Sequence, residues 1–369
     1  FGLFRLYAGQ FSREELEVVS LTIKMFSEPV LELDSLLLEQ HLRVIRAEKA
    51  KLIALASTDR ETLQSNPKFA EQLKTLGVTP PTKTSIRTGK KTFAFAKSDK
   101  ALQELQEHPN HDVQVLVSAR LGVKSTIEET RTERMLGIAQ RTGTLPVPLR
   151  YYAAHTGRWG GSDKLNMQNL PTRKGNTIKQ AITAPEGCLI VDADSAQIEA
   201  RVLAWLAGQT DLVDAFAAEQ DVYKIMAATI YDKPAAEISK SERFVGKSVV
   251  LGSGYGMGAN KFKAQLWGFG VEIELDEAQR IISAYRSEYS DIPALWKDGQ
   301  DCLCAIVDGN TRTLGVQPQV TYLDKSAIDG DVVFRLPNKM MLGYPVLERT
   351  KDFEYSYLAK NNVRTKIYG

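Results

Sequence analysis

The segment "CLIVDADSAQIEARVLAWLAG", from Cys188 to Gly208, constrains the fold more than any other part of this sequence. Its first half is apolar and rich in β-branched residues, which predicts a buried strand from Cys188 to Ala193. Its second half carries apolar residues at helical spacing, so we expect a helix from about Gln197 to Leu206. The segment is therefore expected to form a strand-to-helix junction.

Length and composition exclude several classes of protein. The chain has 369 residues, enough for two or three domains with buried cores. Apolar residues make up 43% and charged residues 25%, which is close to the globular average and excludes a disordered or fibrous chain. The sequence contains no run of 18 apolar residues and no signal peptide, so we expect a soluble cytoplasmic protein with no membrane partner. Cys188, Cys302 and Cys304 have neither zinc-site nor redox spacing and are expected to be reduced and inert.

Helical and extended patterns divide the chain into blocks. Helices are expected from Phe1 to about Leu42 with a break at Pro29, from Leu36 to Leu55, from Asn66 to Gly77, after a cap at Ser98, from Val113 to a stop at Gly122, and through a block that ends near Tyr289. Short strands and turns are expected after Gly143. The last part of the chain alternates like antiparallel strands, with a hairpin turn at Lys360 to Asn362.

The distribution of charge is more informative than the net charge of +2. Between Gln72 and Ser98 there are six basic residues and no acidic residue, and between Gln140 and Gln180 seven basic residues accompany Asp163 alone. Such segregation is typical of a surface that binds a polyanion, for example a nucleic acid. An ordinary solvated basic loop is the alternative explanation for either stretch.

Carboxylates cluster where the predicted strand meets its helix. Asp192 and Asp194 share one face of a strand, and Glu199 follows in the helix. Carboxylate oxygens held at a rigid sheet edge suit a hard divalent cation such as Mg²⁺, and Asp194, at the exposed end of the strand, is the stronger candidate. The alternative is that Asp194 or Ser195 simply caps the following helix.

A second pattern lies in "SERFVGKSVVLGSGYGMG", where Arg243, Lys247, Leu251 and Tyr255 recur every four residues. Residues at this spacing line one face of a helix, and the stripe is roughly 18 Å long, the scale of an extended nucleoside triphosphate. The two cations would bind phosphates, leaving the leucine and the tyrosine beside the sugar and base. The alternative is a solvated basic pair that precedes apolar core residues.

Two apparent phosphate motifs in this segment are rejected. Gly246 to Ser248 reads "GKS", as at the end of a P-loop, but Ser241 stands where that motif requires glycine. The glycines from Gly252 to Gly258 mimic a dinucleotide fingerprint, yet they follow a predicted helix where that fingerprint needs a strand.

The segment "HTGRWGGSDKLNMQNLP" combines glycines with Arg158, Asn166, Gln168 and Asn169. Amide and guanidinium groups on a tight backbone can donate hydrogen bonds to the minor-groove acceptors that all base pairs share. The segment therefore favours DNA contact without sequence preference. Asn and Gly are also ordinary turn residues, which is the alternative.

In order and spacing, these segments resemble the motifs of DNA polymerase family A, of the bacteriophage type. "DADSAQIEAR" is similar to the first palm motif, a metal-binding Asp followed by Glu five residues on and Arg seven residues on. "RFVGKSVVLGSGYG" resembles the fingers helix, and "TGRWGGSDKLNMQNLP" resembles the preceding palm segment. "KTSIRTGKKT", together with "KST" at Lys124 to Thr126, is similar to the thumb.

The resemblance implies an α+β fold, a right-hand polymerase with thumb, fingers and a partial palm built on an antiparallel sheet. The implied divisions are a C-terminal remnant of an exonuclease-like domain at 1–36, a thumb at 37–140, the first part of the palm at 141–209, the fingers at 210–290, and an incomplete second part of the palm at 291–369.

The resemblance further implies template-directed DNA synthesis, in which two-metal phosphoryl transfer adds deoxynucleotides to a primer 3′ end. The implied catalytic residues are Asp194 and Lys247, and Asp194 with the carbonyl of Ser195 would bind Mg²⁺, with two ions in the complete site. The implied nucleotide-binding residues are Glu199, Arg243, Lys247, Leu251, Tyr255 and Tyr223. The implied DNA-binding residues are Arg158, Gln168, Asn169, Arg201, Lys90, Lys91 and Lys124. Primer-template DNA and deoxynucleoside triphosphates would be the partners.

This sequence departs from the family pattern in three ways. Leu251 stands where the family usually has Phe or Tyr, and Tyr223 where relatives often have a His that contacts the triphosphate. Nothing after Tyr289 resembles the late Val-His-Asp-Glu motif that carries the second metal carboxylate. We therefore expect a fragment that needs a C-terminal polymerase piece, acts in the cytoplasm of a host cell and does no proofreading. The alternative is a non-catalytic module that binds primer-template DNA.

Overall fold

The computed structural model of the chain describes residues 8–84, 89–97, 99–170, 176–310, 312–315, 322–324, 332–336, 340–350, 354–359 and 363–367. These residues form two compact units: Leu16–Asp192, and the described parts of Phe1–Glu15 with Ala193–Gly369. Helices and antiparallel strands occur in both, which confirms the expected α+β class. Within the described ranges, no helix is long and apolar enough to cross a bilayer.

The unit Leu16–Asp192 contains eight of the described α-helices and seven short strands. Its helices are α1 (Arg13–Ser27, which starts just before the unit), α2 (Ser35–Leu55), α3 (Arg60–Gln64), α4 (Asn66–Thr75), α5 (Lys100–Glu104), α6 (His111–Lys124), α7 (Ile127–Thr142) and α8 (Thr177–Gln180). Its strands are β1 (Leu31–Leu33), β2 (Thr82–Thr84), β3 (Lys91–Phe93), β4 (Thr144–Leu145), β5 (Leu149–Arg150), β6 (Gly160–Gly161) and β7 (Ile182–Thr183).

Two apolar cores organise this unit. The first packs helices α3 to α6 around Phe69, Val113 and Val117. The second contains Leu38 and Met135 and lies beside a three-stranded sheet with the order β4-β1-β7. The remaining strands form two antiparallel two-stranded sheets, β2 with β3 and β5 with β6.

The unit that contains Ala193–Gly369 begins as a helical block and ends in strands. Its helices are α9 (Ile198–Ala207), α10 (Thr210–Ala217), α11 (Val222–Tyr231), α12 (Lys240–Ser253), α13 (Ala259–Gly268), α14 (Leu275–Glu288) and α15 (Asp291–Val307). Its strands are β8 (Tyr322–Asp324), β9 (Val332–Arg335), β10 (Met341–Tyr344), β11 (Glu348–Arg349), β12 (Tyr355–Leu358) and β13 (Arg364–Ile367), in sheets of order β10-β9-β8 and β11-β12-β13.

The helical block has one large core, in which Ala204, Met226, Val249 and Phe262 are buried. A smaller core joins α15 to the strands and includes Cys302. All three cysteines are free, as the sequence predicts, although Cys188 is exposed and only Cys302 is fully buried.

The helix α12 begins at a capping box that its sequence encodes. The Ser239 hydroxyl accepts from the Glu242 backbone N–H, and the Glu242 carboxylate accepts from the Ser239 backbone N–H. Hydrogen bonds from Lys233 and Ser239 lower the pKa of Glu242 to about 2. The first turn of this helix therefore starts at a fixed residue, which sets the direction of every side chain that follows on it.

The strand predicted from Cys188 to Ala193 is wrong. These residues form no strand, and Leu189 and Val191 are 91% and 87% exposed. Their apolar, β-branched composition favours a strand, but a strand also needs a neighbour to accept its backbone hydrogen bonds. No described strand pairs with this segment. The helix expected after it is confirmed, and α9 lies within one residue of the predicted bounds.

The structure also differs from the sequence-based expectations for several other elements. The helix end predicted at Gly122 is wrong, because α6 continues to Lys124. Gly122 instead allows Leu52 to pack closely against the helix, since a Cβ at this position would lie 2.5 Å from Leu52 Cδ1. No sequence pattern predicted β1, and the helical block extends beyond Tyr289 to Val307. Ser98 and the turn at 360–362 lie outside the described residues, although β12 and β13 on either side of that turn do pair.

Candidate functional site

Asp194 and Ser195 lie in an exposed turn that precedes α9. The Ile198 backbone N–H donates to the Ser195 carbonyl oxygen at 3.3 Å, which leaves that oxygen one further lone pair. Gln197 occupies the N-cap position of α9 and makes no side-chain capping bond, so the idea that Asp194 or Ser195 caps this helix is wrong. Both residues are therefore accessible to a ligand.

The turn after Asp194 is held from its inner side by Arg201. The Arg201 guanidinium donates to the Ala196 carbonyl at 2.9 Å and to the Phe216 carbonyl at 3.3 Å, and it lies 4.7 Å from the centroid of the Phe216 ring. The resemblance assigned Arg201 to DNA contact, but in the structure this side chain is half-buried and bonded to backbone. Its geometry is that of a residue that fixes the turn.

The predicted stripe is present on α12. Arg243, Lys247 and Leu251 lie one turn apart on the helix, and Tyr255 follows just past its end with 69% of its surface exposed. Arg243 Nε donates to the Asp221 carboxylate at 2.6 Å. Burial acts to raise the pKa of Asp221, but this bond and backbone N–H donors outweigh it, so the pKa is lowered and the group stays ionised.

Tyr223 lies beneath the two cations of the stripe and is only 6% exposed. The Arg243 guanidinium carbon is 5.3 Å from the centroid of its ring, and Lys247 Nζ is 5.9 Å from it. Burial raises the pKa of the Tyr223 hydroxyl, and a hydrogen bond from the Gln197 side chain acts in the opposite direction. The sequence pattern gave no signal for the part played by Asp221, because it depends on Arg243, a residue on another helix.

An apolar cavity of about 340 Å³ opens between α9 and α12. Six of its lining residues are Glu199, Leu203, Leu206, Val250, Leu251 and Tyr255. Gly254 allows the two helices to approach, since a Cβ at that position would lie 3.0 Å from Leu203 Cδ2. Three of the predicted nucleotide-binding residues thus share one cavity, whose wall combines a carboxylate, a leucine and an exposed phenol.

A second and more polar cavity, about 650 Å³, lies in the unit Leu16–Asp192 at the start of α7. Six of its lining residues are Thr126, Arg131, Arg150, Ser162, Lys164 and Asn166. Asp163 also lines it, but its carboxylate is paired with Arg134. The cavity therefore has a positive balance next to a helix N-terminus, an arrangement that favours an anion. Arg131 was missed by the sequence reasoning, which noted only segments where basic residues are dense.

The predicted DNA-binding residues of this unit are exposed. Gln168 and Asn169 lie in a single helical turn whose start is fixed by Asn166, which accepts from the Gln168 backbone N–H at 3.0 Å. Arg131 donates to the Asn169 carbonyl at 2.7 Å, which ties this turn to α7. Arg158 is exposed in the loop before β6.

Three further lysines complete the predicted set. Lys90 and Lys91 are exposed at the β2–β3 hairpin, and Lys124 is exposed at the end of α6. Partial burial and the nearby positive charge of Arg120 lower the pKa of Lys124. All three can reach solvent, as contacts with phosphate require.

The oxygen donors at Asp194 and Ser195 suit a hard cation such as Mg²⁺. However, the described part of the chain contains no group of three acidic, His or Cys side chains close enough to bind a metal. A single carboxylate cannot balance two divalent ions, so these residues do not by themselves fit the two-ion site implied by the resemblance.

Comparisons with known proteins agree with the sequence motifs. The profile of DNA polymerase family A matches residues 33–304. DNA polymerase I of Pseudomonas aeruginosa is 34% identical over 217 residues, which is 58% of this chain and 22% of that protein. The thermostable DNA polymerase I of Thermus aquaticus is 31% identical over 211 residues, or 56% of this chain and 24% of that protein.

A solved structure shares the fold. It is titled "POL domain of Pol1 from M. smegmatis complex with DNA primer-template and dNTP", and it aligns with a TM-score of 0.61 at 24% identity, covering 82% of this chain and 51% of that one. The chain thus spans about a quarter of the curated relatives and half of the solved domain. The fold expected from the sequence, an α+β polymerase fold, is confirmed. Because the family profile covers most of its length, this chain belongs to DNA polymerase family A.

Proposed function

We propose that the chain takes part in template-directed DNA synthesis and adds deoxynucleotides to a primer 3′ end. One observation carries the proposal: Glu199, five residues after Asp194, lines one apolar cavity together with Leu251 and Tyr255 of the cationic stripe. A carboxylate near two cations and an apolar cavity is what a nucleoside triphosphate and its metal would need.

In this proposal each group has a separate task. Arg243 and Lys247 bind the triphosphate, and Lys247 also offsets negative charge that develops on it during transfer. Glu199 and Leu251 lie against the sugar, and Glu199 excludes a ribose 2′-hydroxyl. Tyr255, exposed at the end of the stripe, stacks beside the templating base.

DNA would be gripped by the unit Leu16–Asp192. Its polar cavity at the start of α7 carries Arg131, Arg150 and Lys164, which suit phosphates. Arg158, Gln168 and Asn169 are exposed donors for the minor groove, and Lys90, Lys91 and Lys124 would add phosphate contacts. The relatives in the comparisons are bacterial, so a bacteriophage origin stays a prediction from the motifs.

Magnesium would bind at Asp194 and the Ser195 carbonyl and lower the charge of the reacting phosphates. The second carboxylate of a two-ion site would come from a further polypeptide segment, the C-terminal polymerase piece that the resemblance implies. Exposed apolar side chains support such docking: on α9, Ile198, Val202 and Trp205 are 51%, 43% and 45% exposed. They recur at helical spacing and form one apolar stripe.

Primer extension tests the proposal. The chain is mixed with primer-template, Mg²⁺ and four deoxynucleotides, with and without the C-terminal palm piece of a relative. We expect extension only with the piece, and we expect Asp194→Ala to reduce it by roughly 10³-fold or more, because a metal ligand contributes several kcal/mol. Asp192→Asn is the matched control, since Asp192 is exposed and pairs with Lys179 at 3.3 Å, and it should extend normally.

Three outcomes would contradict parts of this proposal. Full activity of Asp194→Ala would remove the metal assignment. Robust extension by the chain alone would show that no second piece is needed. A failure to extend even with the piece, together with tight binding of primer-template, would favour the second candidate.

That second candidate is a non-catalytic module that binds primer-template DNA. It is favoured by the lack of a three-ligand metal group among the residues that the structure describes. It predicts DNA binding that weakens steeply with salt, with no product under any condition. Asp194, Arg243 and Lys247 are all retained, which favours the catalytic proposal over this one.

A further inference from the structure

Tyr223 lies in the first turn of α11 and packs against α12, the helix that carries Arg243 and Lys247. Its main chain lies against α12 at Gly246, where a Cβ would be 2.3 Å from the Tyr223 carbonyl oxygen. This close approach brings the start of α11 next to the turn of α12 that carries Arg243 and Lys247. The tyrosine is buried, so it is not placed to contact a nucleotide directly.

The ring of Tyr223 supports both cations. Arg243 and Lys247 are four residues apart on one helix face, and like charges at that spacing repel each other. The π face of the tyrosine lies 5.3 Å from one and 5.9 Å from the other, within the range of cation–π attraction. Asp221, which precedes Tyr223 and bonds to Arg243 at 2.6 Å, offsets the remaining charge. The two cations are thereby kept together without a bound anion.

From these contacts we propose that Tyr223 is a positioning residue for triphosphate binding, because its ring holds Arg243 and Lys247 together. The inference rests on the proposed function and departs from the family pattern, in which a His at this position contacts the triphosphate itself. In this chain the tyrosine acts through its neighbours.

Inorganic triphosphate is a suitable probe, because it carries the charges of the nucleotide and needs neither base pairing nor catalysis. Its binding to the full chain in Mg²⁺ is measured by titration calorimetry. We expect Tyr223→Leu, which removes the ring, to weaken binding roughly tenfold. Tyr223→Phe keeps the ring and should bind within about threefold of the wild type. This recovery by the conservative variant separates positioning from a general loss of packing.

Tyr231→Leu is the matched control. Tyr231 is on the same helix and is half-buried, but its cationic neighbour is Lys233, at 5.9 Å, and not a residue of the stripe. It should bind triphosphate as the wild type does, even if its thermal midpoint falls as far as that of Tyr223→Leu. Equal loss of binding in both leucine variants would overturn the proposal, because destabilisation alone would then explain it.

If the wild type itself binds no triphosphate, the proposed function fails and the positioning inference falls with it. If the wild type binds and Tyr223→Leu binds equally, only the inference fails.

Discussion

Gly246 shows how one residue controls the geometry of the candidate site. The space beside its Cα is filled by the Tyr223 carbonyl, and an added Cβ would also lie 3.1 Å from the Cβ of Ala227. Only a residue without a side chain allows α11 and α12 to approach this closely. Gly246, the glycine of the Gly-Lys-Ser sequence that mimics a phosphate loop, therefore serves the packing of α12 against α11.

Gly246→Ala should destabilise the protein by about 1–3 kcal/mol, the usual cost of overpacking, because backbone rather than a flexible side chain must move. Urea unfolding measures the loss. The control is Gly137→Ala within α7, where a Cβ meets nothing within 4 Å, and there alanine should stabilise by about 0.5–1 kcal/mol. If both alanines had the same effect, helix propensity rather than close packing would explain the result.

Glu129 links helices at the scale of whole elements. Its carboxylate on α7 accepts from Lys49 on α2 at 2.6 Å, with Arg46 at 3.6 Å and Arg60 of α3 at 3.9 Å. Both Glu129 and Lys49 are largely buried. The hydrogen bond from Lys49 is the main reason that the pKa of Glu129 lies below its ordinary value.

Glu129→Gln should destabilise the chain by about 3 kcal/mol at neutral pH, because it leaves the buried Lys49 without a counter-charge. A carboxyl whose pKa is lowered by folding stabilises the native state above its unfolded value of 4.5, and this stability is lost as the pH falls through the native value. The gap between wild type and Glu129→Gln should therefore be constant near neutrality and shrink below about pH 4.5.

Urea midpoints measured at a series of pH values check this expectation. The control is Glu133→Gln, which breaks only a more exposed pair with Arg46 and should cost about 0.5 kcal/mol. A gap that widens as the pH falls would mean that Glu129 is not stabilised as a charged group.

Elements also show what the sequence could and could not predict. The stripe on α12 was predictable, because a helix fixes the spacing of Arg243, Lys247 and Leu251 without reference to the rest of the chain. The strand at 188–193 was wrong, because its residues favour extended structure but contain no information about a partner. Contacts such as Glu129 with Lys49 join residues far apart in sequence, and no periodicity reports them.

At the scale of the molecule, the near-neutral net charge conceals a local excess of cations. Basic residues concentrated in two stretches of the sequence predict a polyanion partner, and the unit Leu16–Asp192 has a cavity where Arg131, Arg150 and Lys164 meet. DNA binding by this unit therefore depends on the number of phosphates that it neutralises, and this number can be measured without catalysis. Both candidate functions require it.

The salt dependence of primer-template binding measures that number. Each phosphate contact contributes about 0.9 to the slope of log K against log salt on duplex DNA. Arg150→Gln and Lys164→Gln should each weaken binding and reduce the slope by about 0.9, and the double variant should lose both amounts. Lys68→Gln, which removes an exposed charge already paired with Glu61 at 2.6 Å, is the control and should leave the slope unchanged. If all three variants reduced the slope equally, the cavity would have no special part in DNA binding and only overall charge would matter.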